Sequence, residues 1–534
     1  MEYTDISLMY PTQEALMKNA RGEDKVKISS DVLDELGLNS IIDLKNSRLC
    51  DFFTLDPDVI SYRQRVFADT VENPELCELL IKLNPILSDI AEIRRLSSDD
   101  MQNEGYLYSI TEVELYISCM ELLANGLYPM RDKLKSEAFI ALANRVKELT
   151  ESDYYKDLNK RLKELTSRVR EVKSVTIGVN LDSRLRPESA GVLSVNNEYF
   201  KSGELIQKIL RLDFKSNEYT CIASLIPFTK NQSENEQSAL SYAFSNALNK
   251  VFKSSMHSWK KVVQSYVLEN ADFLIKLMPE IEFVVKGTEL INKLKKSGNP
   301  VCYPKIFPME EKRFSVKGIY NPVIASEISE KMVENDFQFD ENGMFYVLTG
   351  PNRGGKSVIT CAVGLTFALA GLGLCVPCES AEISPADGIF VHFPTGAEDT
   401  VDKGRLGEEC ARLDAIFDEV TEYSLVLLDE SLSSTGSFEG AYIAAEVLSG
   451  FSMCKCRGIF STHLHELCSM IDGINERCSK EGGAKIDTLV AGMDGAERSF
   501  RILRAKPDGK SYARDIARKY GISLENILEK IRKK

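Results

Sequence analysis

The chain has 534 residues, enough for about three units at roughly 100–200 residues per domain. Hydrophobic residues make up 43% and aromatic residues 8%, which is normal for globular folding around a large core. A net charge of −14 argues against a protein coated in nucleic acid, while leaving room for a local basic face.

The N-terminal stretch has no basic leader followed by an apolar run, so no signal peptide is expected. No run of about 18 uncharged apolar residues occurs, so no membrane span is expected either. The nearest, Val358–Val376, is interrupted by Gly364, Gly371 and Gly373. Thirteen cysteines without an export signal read as free thiols in a reducing cytosol, which makes the expected location cytoplasmic.

Residues 1–40 are weakly patterned, and helical patterning follows from about 40 to 150. A long helix is expected over about 134–174, where Leu158, Leu162, Leu165, Val169 and Val172 recur at heptad-like spacing. Its outer face is charged, with Lys156, Lys160, Arg161, Lys163, Arg168, Arg170 and Lys173. At 174 the pattern changes: 174–182 and 191–196 are rich in β-branched and turn residues and read as short strands of a small insert. Helical patterning returns over about 235–297 and is stopped by Ser297-Gly298-Asn299-Pro300. From about 306 apolar strand-like runs alternate with helices, as in an α/β fold with a parallel sheet. The expected strands are Met344–Thr349, Ser424–Leu428 and Gly458–Thr462, with a buried helix over Val358–Leu372.

The chemistry concentrates in this last part. Gly350, Pro351, Asn352, Arg353, Gly354, Gly355, Lys356 and Ser357 form a P-loop between a strand and a helix. Glycines let backbone N–H groups approach phosphates, Lys356 supplies charge to the terminal phosphates and Ser357 a ligand for Mg²⁺. The helix that follows points its positive end at the same place. Asp429 ends the apolar strand Leu425-Val426-Leu427-Leu428, where an aspartate commonly holds Mg²⁺ through water. Glu430 beside it would orient or deprotonate the attacking water. His463, after the next strand, can touch the terminal phosphate and report its presence; His465 receives no role. These residues predict an ATPase with ATP and Mg²⁺ as its cofactors. Cys375 and Cys378 form a C-x-x-C that reads as two packed thiols, as do Cys454 and Cys456. Residues 501–534 carry 11 Lys/Arg against 4 Asp/Glu and look like helix, Gly turn, helix, which suits dimer packing better than DNA reading.

Taken together, Gly-Pro-Asn-x-x-Gly-Lys-Ser, Tyr-Ser-Leu-Val-Leu-Leu-Asp-Glu and Ser-Thr-His-x-x-Glu-Leu resemble the C-terminal ATPase of the MutS DNA mismatch-repair family. Lys510-Ser511-Tyr512 with Ala517 and Gly521-Ile522 is similar to that family's closing helix-turn-helix, which serves dimerisation. The similarity is strong over about 315–534 and weaker over 40–305, where Asp43-Leu-Lys-Asn and Tyr62-Arg-Gln look like the start of the family's helical core. The resemblance implies a multidomain fold: an N-terminal segment (1–40), an α-helical core, lever and clamp-like region (41–305) with a small β insert at about 174–230, and an α/β P-loop, ABC-like ATPase domain (306–534). It implies a homodimer holding DNA, no membrane partner, and repair partner proteins.

Two departures from the family pattern shape the functional expectation. The chain has no room for the N-terminal mismatch-reading and connector domains. Asp51-Phe52-Phe53-Thr54 superficially resembles the family's Phe-x-Glu probe but carries Thr54 where Glu would stand, and reads as core packing. The family's Gly-Arg-Ser-Thr stretch reads Gly404-Arg405-Leu406-Gly407, so its trans-acting serine is missing, and Gly407 N–H or Arg405 would have to serve. The expectation is therefore an ATP-driven clamp in DNA repair or recombination that reads DNA structures, with the charged face of Lys156 to Arg170 as candidate contacts. The alternative is a nucleotide-gated protein or ribosome clamp without a DNA role.

Overall fold

A computed structural model describes residues 6–99, 106–170, 174–184, 187–196, 198, 272–328, 331–351, 353–393, 404–494, 497–506 and 524–532. They fall into two compact units, one made of Met1–Cys77, Lys135–Phe139 and Pro279–Lys534, the other of Glu78–Leu134 and Ile140–Met278. No helix among the described residues is long and apolar enough to cross a membrane.

The second unit is mainly helical. The single helix expected over 134–174 is instead two, Glu137–Glu151 and Asp153–Arg170. Ser152 makes the break: its Oγ donates to Leu149 O at 2.7 Å and accepts from Tyr155 N at 3.2 Å, closing one helix and capping the next. Leu158 and Leu162 of the stripe are buried, and Tyr155 meets Tyr116 edge-on with ring centroids 6.4 Å apart. Lys156, Lys160 and Lys163 are exposed, whereas the side chains of Arg161, Arg168 and Arg170 lie outside the described set. An antiparallel hairpin follows, β1 (Ser174–Leu181) and β2 (Pro187–Asn196). The expected helical stretch before 272 lies outside the described residues, while 272–296 is helical.

The first unit holds two sheets. One has the order β3-β7-β4-β5, built from Lys305–Ile306 (β3), Phe314–Ile319 (β4), Asn335–Phe339 (β5) and Ser380–Ile383 (β7). The larger has the order β12-β11-β6-β10-β9-β8, from Phe345–Thr349 (β6), Ile389–His392 (β8), Leu425–Asp429 (β9), Arg457–Ser461 (β10), Ile486–Asp494 (β11) and Glu497–Arg504 (β12). All its pairings are parallel except β11 with β12. Every residue of β6, β9 and β10 is buried, the pattern of central parallel strands covered on both faces. Phe345 stacks on Phe451 and Phe417 stacks on Phe451 in turn, while Phe367 of the helix Lys356–Leu372 stacks on Phe314 at 4.3 Å. A Cβ at Gly458 would stand 2.2 Å from the Phe345 ring, so only glycine lets these strands lie side by side. Arg457, fully buried, donates to the carbonyls of Ser384, Pro385 and Tyr423 and lies 4.8 Å over the Phe367 ring.

The boundary expected at 306 falls inside this unit: Lys27 and Thr54 bond to the later strand and helix, and residues 45–64 bond to Glu282 and Pro304. Lys27 N donates to Asp387 O at 2.7 Å, and Ile389 N donates to Lys27 O at 3.0 Å. Thr54 N donates to Gly371 O. The Tyr62-Arg63-Gln64 run is a three-way tie: Tyr62 donates to Ser7 O, Arg63 to the carbonyls of Met9 and Phe52, and Gln64 to Pro304 O. Glu282 accepts from the N–H groups of Lys45 and Asn46. Phe52 stacks on Phe283 at 4.5 Å, and Phe53 and Thr54 are buried beside it, so this stretch is core.

Candidate nucleotide site

The site grows from the ends of three adjacent parallel strands. Register pairs Ser461 of β10 with Leu348 of β6 on one side and with Asp429 of β9 on the other, so the loops after these strands emerge side by side. After Thr349 the chain turns at Gly350, whose φ is 144°. A Cβ there would meet the Ala491 Cβ at 2.7 Å, so the turn requires glycine. Gly354 N donates to Pro351 O, and Gly355, left-handed at φ 94°, caps the 17-residue helix Lys356–Leu372. Arg353 and Ser357 are exposed at the rim. Asn352 lies outside the described residues.

Lys356 is buried inside this loop. Its Nζ donates to Gly350 O at 3.2 Å and Pro351 O at 3.3 Å, and lies 3.1 Å from His463 Nε2. Burial pulls its pKa below the ordinary lysine value, against the opposing pull of Glu430 and Asp429. His463 Nε2 is also 2.9 Å from Glu430 Oε1, so one imidazole nitrogen links the P-loop lysine with the carboxylate after β9. That nitrogen either donates to Glu430 or accepts from Lys356, according to its tautomer. Glu430 has a left-handed backbone, φ 49°, held by its N–H to Ser461 O at 2.8 Å. A non-glycine residue kept in that region is a form of strain found at functional sites.

Asp429 is 7% exposed, and its Oδ1 is buried without a hydrogen-bond partner. Such an atom is costly unless something fills its coordination, and a hard divalent cation suits a carboxylate oxygen. The residues present therefore fit Mg²⁺. Lys356, Asp429, Glu430 and His463 are brought to one place, with Ser357 at the start of the same helix.

Three further residues border the site without a local sequence signal. Glu409, on the helix Gly404–Glu419, accepts from Leu432 N at 2.7 Å and so props the turn that carries Glu430. His392 at the end of β8 is bonded to Ser431 Oγ at 2.7 Å; burial first and nearby Arg412 second push its pKa down to about 4. Phe500, left-handed and 45% exposed, lies 3.6 Å from where a Gly355 Cβ would stand. Arg405, the suggested trans-acting group, is exposed and 3.8 Å from Glu409, and Gly407 lies in the first turn of its helix.

A glycine-rich loop between a buried strand and a helix, with acidic and imidazole groups on the neighbouring strand ends, belongs to a unit of mixed α/β sheets that follows a helical region. Residues 346–523 match MutS domain V, and residues 55–297 match the MutS2 N-terminal domain. The chain belongs to the MutS family. It is 33% identical over 226 residues to the DNA mismatch repair protein MutS of Petrotoga mobilis, covering 41% of this chain and 26% of that protein. The corresponding protein of Prochlorococcus marinus (strain MIT 9301) is 29% identical over 308 residues, 55% of this chain and 33% of the relative. DNA mismatch repair protein MutS 1 of Haloarcula marismortui is 32% identical over 213 residues, 39% of this chain and 22% of the relative. The match thus spans a third or less of each relative's length.

Proposed function

We propose that this chain is an ATPase whose nucleotide cycle works a DNA-holding clamp in repair or recombination, acting on DNA structures such as junctions rather than on single mismatches. The observation that carries the reading is the meeting of Lys356, Asp429, Glu430 and His463 at the ends of β6, β9 and β10. The similarity to relatives named as mismatch repair proteins supports a role in DNA repair. The ATPase role belongs to the ABC-like unit that holds these strands, and the lever and clamp role to the helical unit.

Lys356 exchanges the carbonyls of Gly350 and Pro351 for the terminal phosphates. Phe500 offers a flat apolar face beside Gly355 for the base. Asp429, partly through water, and Ser357 would hold Mg²⁺, which when bound neutralises phosphate charge. Glu430 takes the proton of the attacking water, and His463 holds Glu430 in place and senses the terminal phosphate. Two copies pair through the C-terminal tail and across the nucleotide. Phe438 and Tyr442, 79% and 62% exposed at the start of the helix Ser437–Cys454, support an interface next to the turn of Glu430. Lys156, Lys160 and Lys163, with Arg161, Arg168 and Arg170 on the same helix, are the proposed phosphate contacts.

Labelled homoduplex, mismatched duplex and four-way junction, titrated with and without ATP at several salt concentrations, test the substrate. Tighter junction binding that weakens with salt is expected. A tenfold preference for the mismatch would overturn structure reading, and no binding to any of the three would favour the protein-clamp alternative.

A further inference from the structure

We propose that Cys302 and Cys378 form a redox-active dithiol, a modification site at which a hydroperoxide is reduced while the two thiols close to a disulfide. The sequence pairs Cys378 with Cys375, but the fold pairs it with Cys302: their Sγ atoms are 3.4 Å apart although 76 positions separate them. The backbone sets this up. Cys302 N donates to Val376 O at 3.1 Å, and Val376 N returns to Cys302 O at 2.8 Å, an antiparallel bridge between the segment entering β3 and the segment leaving the P-loop helix. Cys378 N donates to Val376 O at 3.0 Å, which turns the third cysteine of the neighbourhood back toward the bridge. Closing a disulfide needs the sulfurs to move from contact to about 2.05 Å, with no rearrangement of distant chain.

The two thiols differ as an attacking and a resolving cysteine must. Cys302 is half-buried, Cys378 fully buried. Either thiol can donate across this contact; donation from Cys378, the more buried of the two, holds Cys302 below the ordinary thiol value and keeps the proton on Cys378. Burial pushes Cys119, Cys361 and Cys375 up to about 12, so these are poor nucleophiles. The Cys302 thiolate attacks one oxygen of hydrogen peroxide, the O–O bond breaks, and a sulfenic acid forms while the released hydroxide takes up the thiol proton as water. Cys378 then attacks the Cys302 sulfur, displacing hydroxide, which leaves with the Cys378 proton as a second water. Two thiols and one peroxide become one disulfide and two waters. The covalent loop so closed contains β6, the P-loop and its helix, so the bond staples the frame on which the nucleotide site is built.

The test is disulfide mapping of the full chain after stoichiometric hydrogen peroxide, by alkylation and peptide mass spectrometry. The Cys302–Cys378 peptide is expected as the dominant product, reversible by dithiothreitol. Its absence, a dominant Cys375–Cys378 product, or over-oxidation of Cys302 with Cys378 still free to alkylate would overturn the proposal. Thiol loss to peroxide should slow at least tenfold in Cys302→Ser, while Cys375→Ser, checked for the same circular dichroism, keeps the parental rate. Equal rates in the two variants would overturn it without reliance on the mapping.

Discussion

Glu430 does two things at once: it leaves its strand in a left-handed conformation, and it reaches the imidazole that also touches the P-loop lysine. Replacing it with glutamine keeps size and shape and removes the base. The Glu430→Gln variant should bind ATP and turn it over about 100- to 10,000-fold more slowly, as expected for loss of a positioned base. Single-turnover hydrolysis reads this directly, and parental turnover would remove Glu430 from the chemistry. Lys356→Ala should lose ATP binding itself, because the buried ammonium is the charge that faces the phosphates. Nucleotide fluorescence titration separates the two variants. His392 gives a pH signature. Its pKa is about 4 in the fold against about 6.5 unfolded, so the unfolded chain binds the extra proton. The contribution is fully present above about pH 6.5 and is lost as pH falls through about 4, at most about 3 kcal/mol. His392→Asn, which keeps a partner for Ser431, should flatten the loss of urea stability between pH 7 and pH 5. An unchanged slope would show that His392 titrates normally.

At the scale of elements, the C-terminal tail can be divided more finely than its composition suggests. Arg501–Arg504 belong to β12, with Arg504 paired to Asp340 and Asp487, and Ala505 O accepts from Thr488 Oγ1. A deletion should therefore begin at 507, which leaves β12 and its partners Asp340, Asp487 and Thr488 intact. Beyond it the helix Leu524–Arg532 exposes Ile527, Leu528 and Ile531, an apolar stripe at helical spacing. Removing 507–534 should shift sedimentation toward the monomer while leaving the thermal transition of the sheet in place; an unchanged dimer would discard the tail as the contact. The candidate site was legible because each of its motifs is short, contiguous and set at a strand end, so Gly350–Ser357, Asp429-Glu430 and His463 each carry a local signal. What local pattern could not show was anything closed over long range. Ser152 carries no signal strong enough to predict a break in a heptad stripe. Glu409, 23 positions from Leu432, and Cys302, 76 positions from Cys378, have partners that only the packed sheet selects. The same holds for Lys27 and Thr54, whose partners at 387–389 and 371 lie beyond any local window.

For the whole molecule, the nucleotide site and the exposed aromatics beside it make one prediction. Phe438→Ser with Tyr442→Ser should weaken self-association in the presence of ATP, measured by sedimentation, without unfolding the chain, since both side chains are largely solvent-exposed. An undiminished ATP-bound dimer would place the contact elsewhere. The make-up of the first unit has a consequence for how the protein comes into being. It is assembled from the two ends of the chain, with Lys135–Phe139 as a third piece, and the intervening residues form a unit of their own. On a ribosome adding about 5–20 residues per second, the first 77 residues emerge early, and Lys27 and Thr54 must wait for Asp387, Ile389 and Gly371 before these hydrogen-bond partners exist. Leu33, Leu36, Phe53 and Phe67, all buried in the finished protein, are uncovered during that interval. A nascent chain stalled before 371 should accordingly hold on to a ribosome-associated chaperone, and one extended past 506 should let it go.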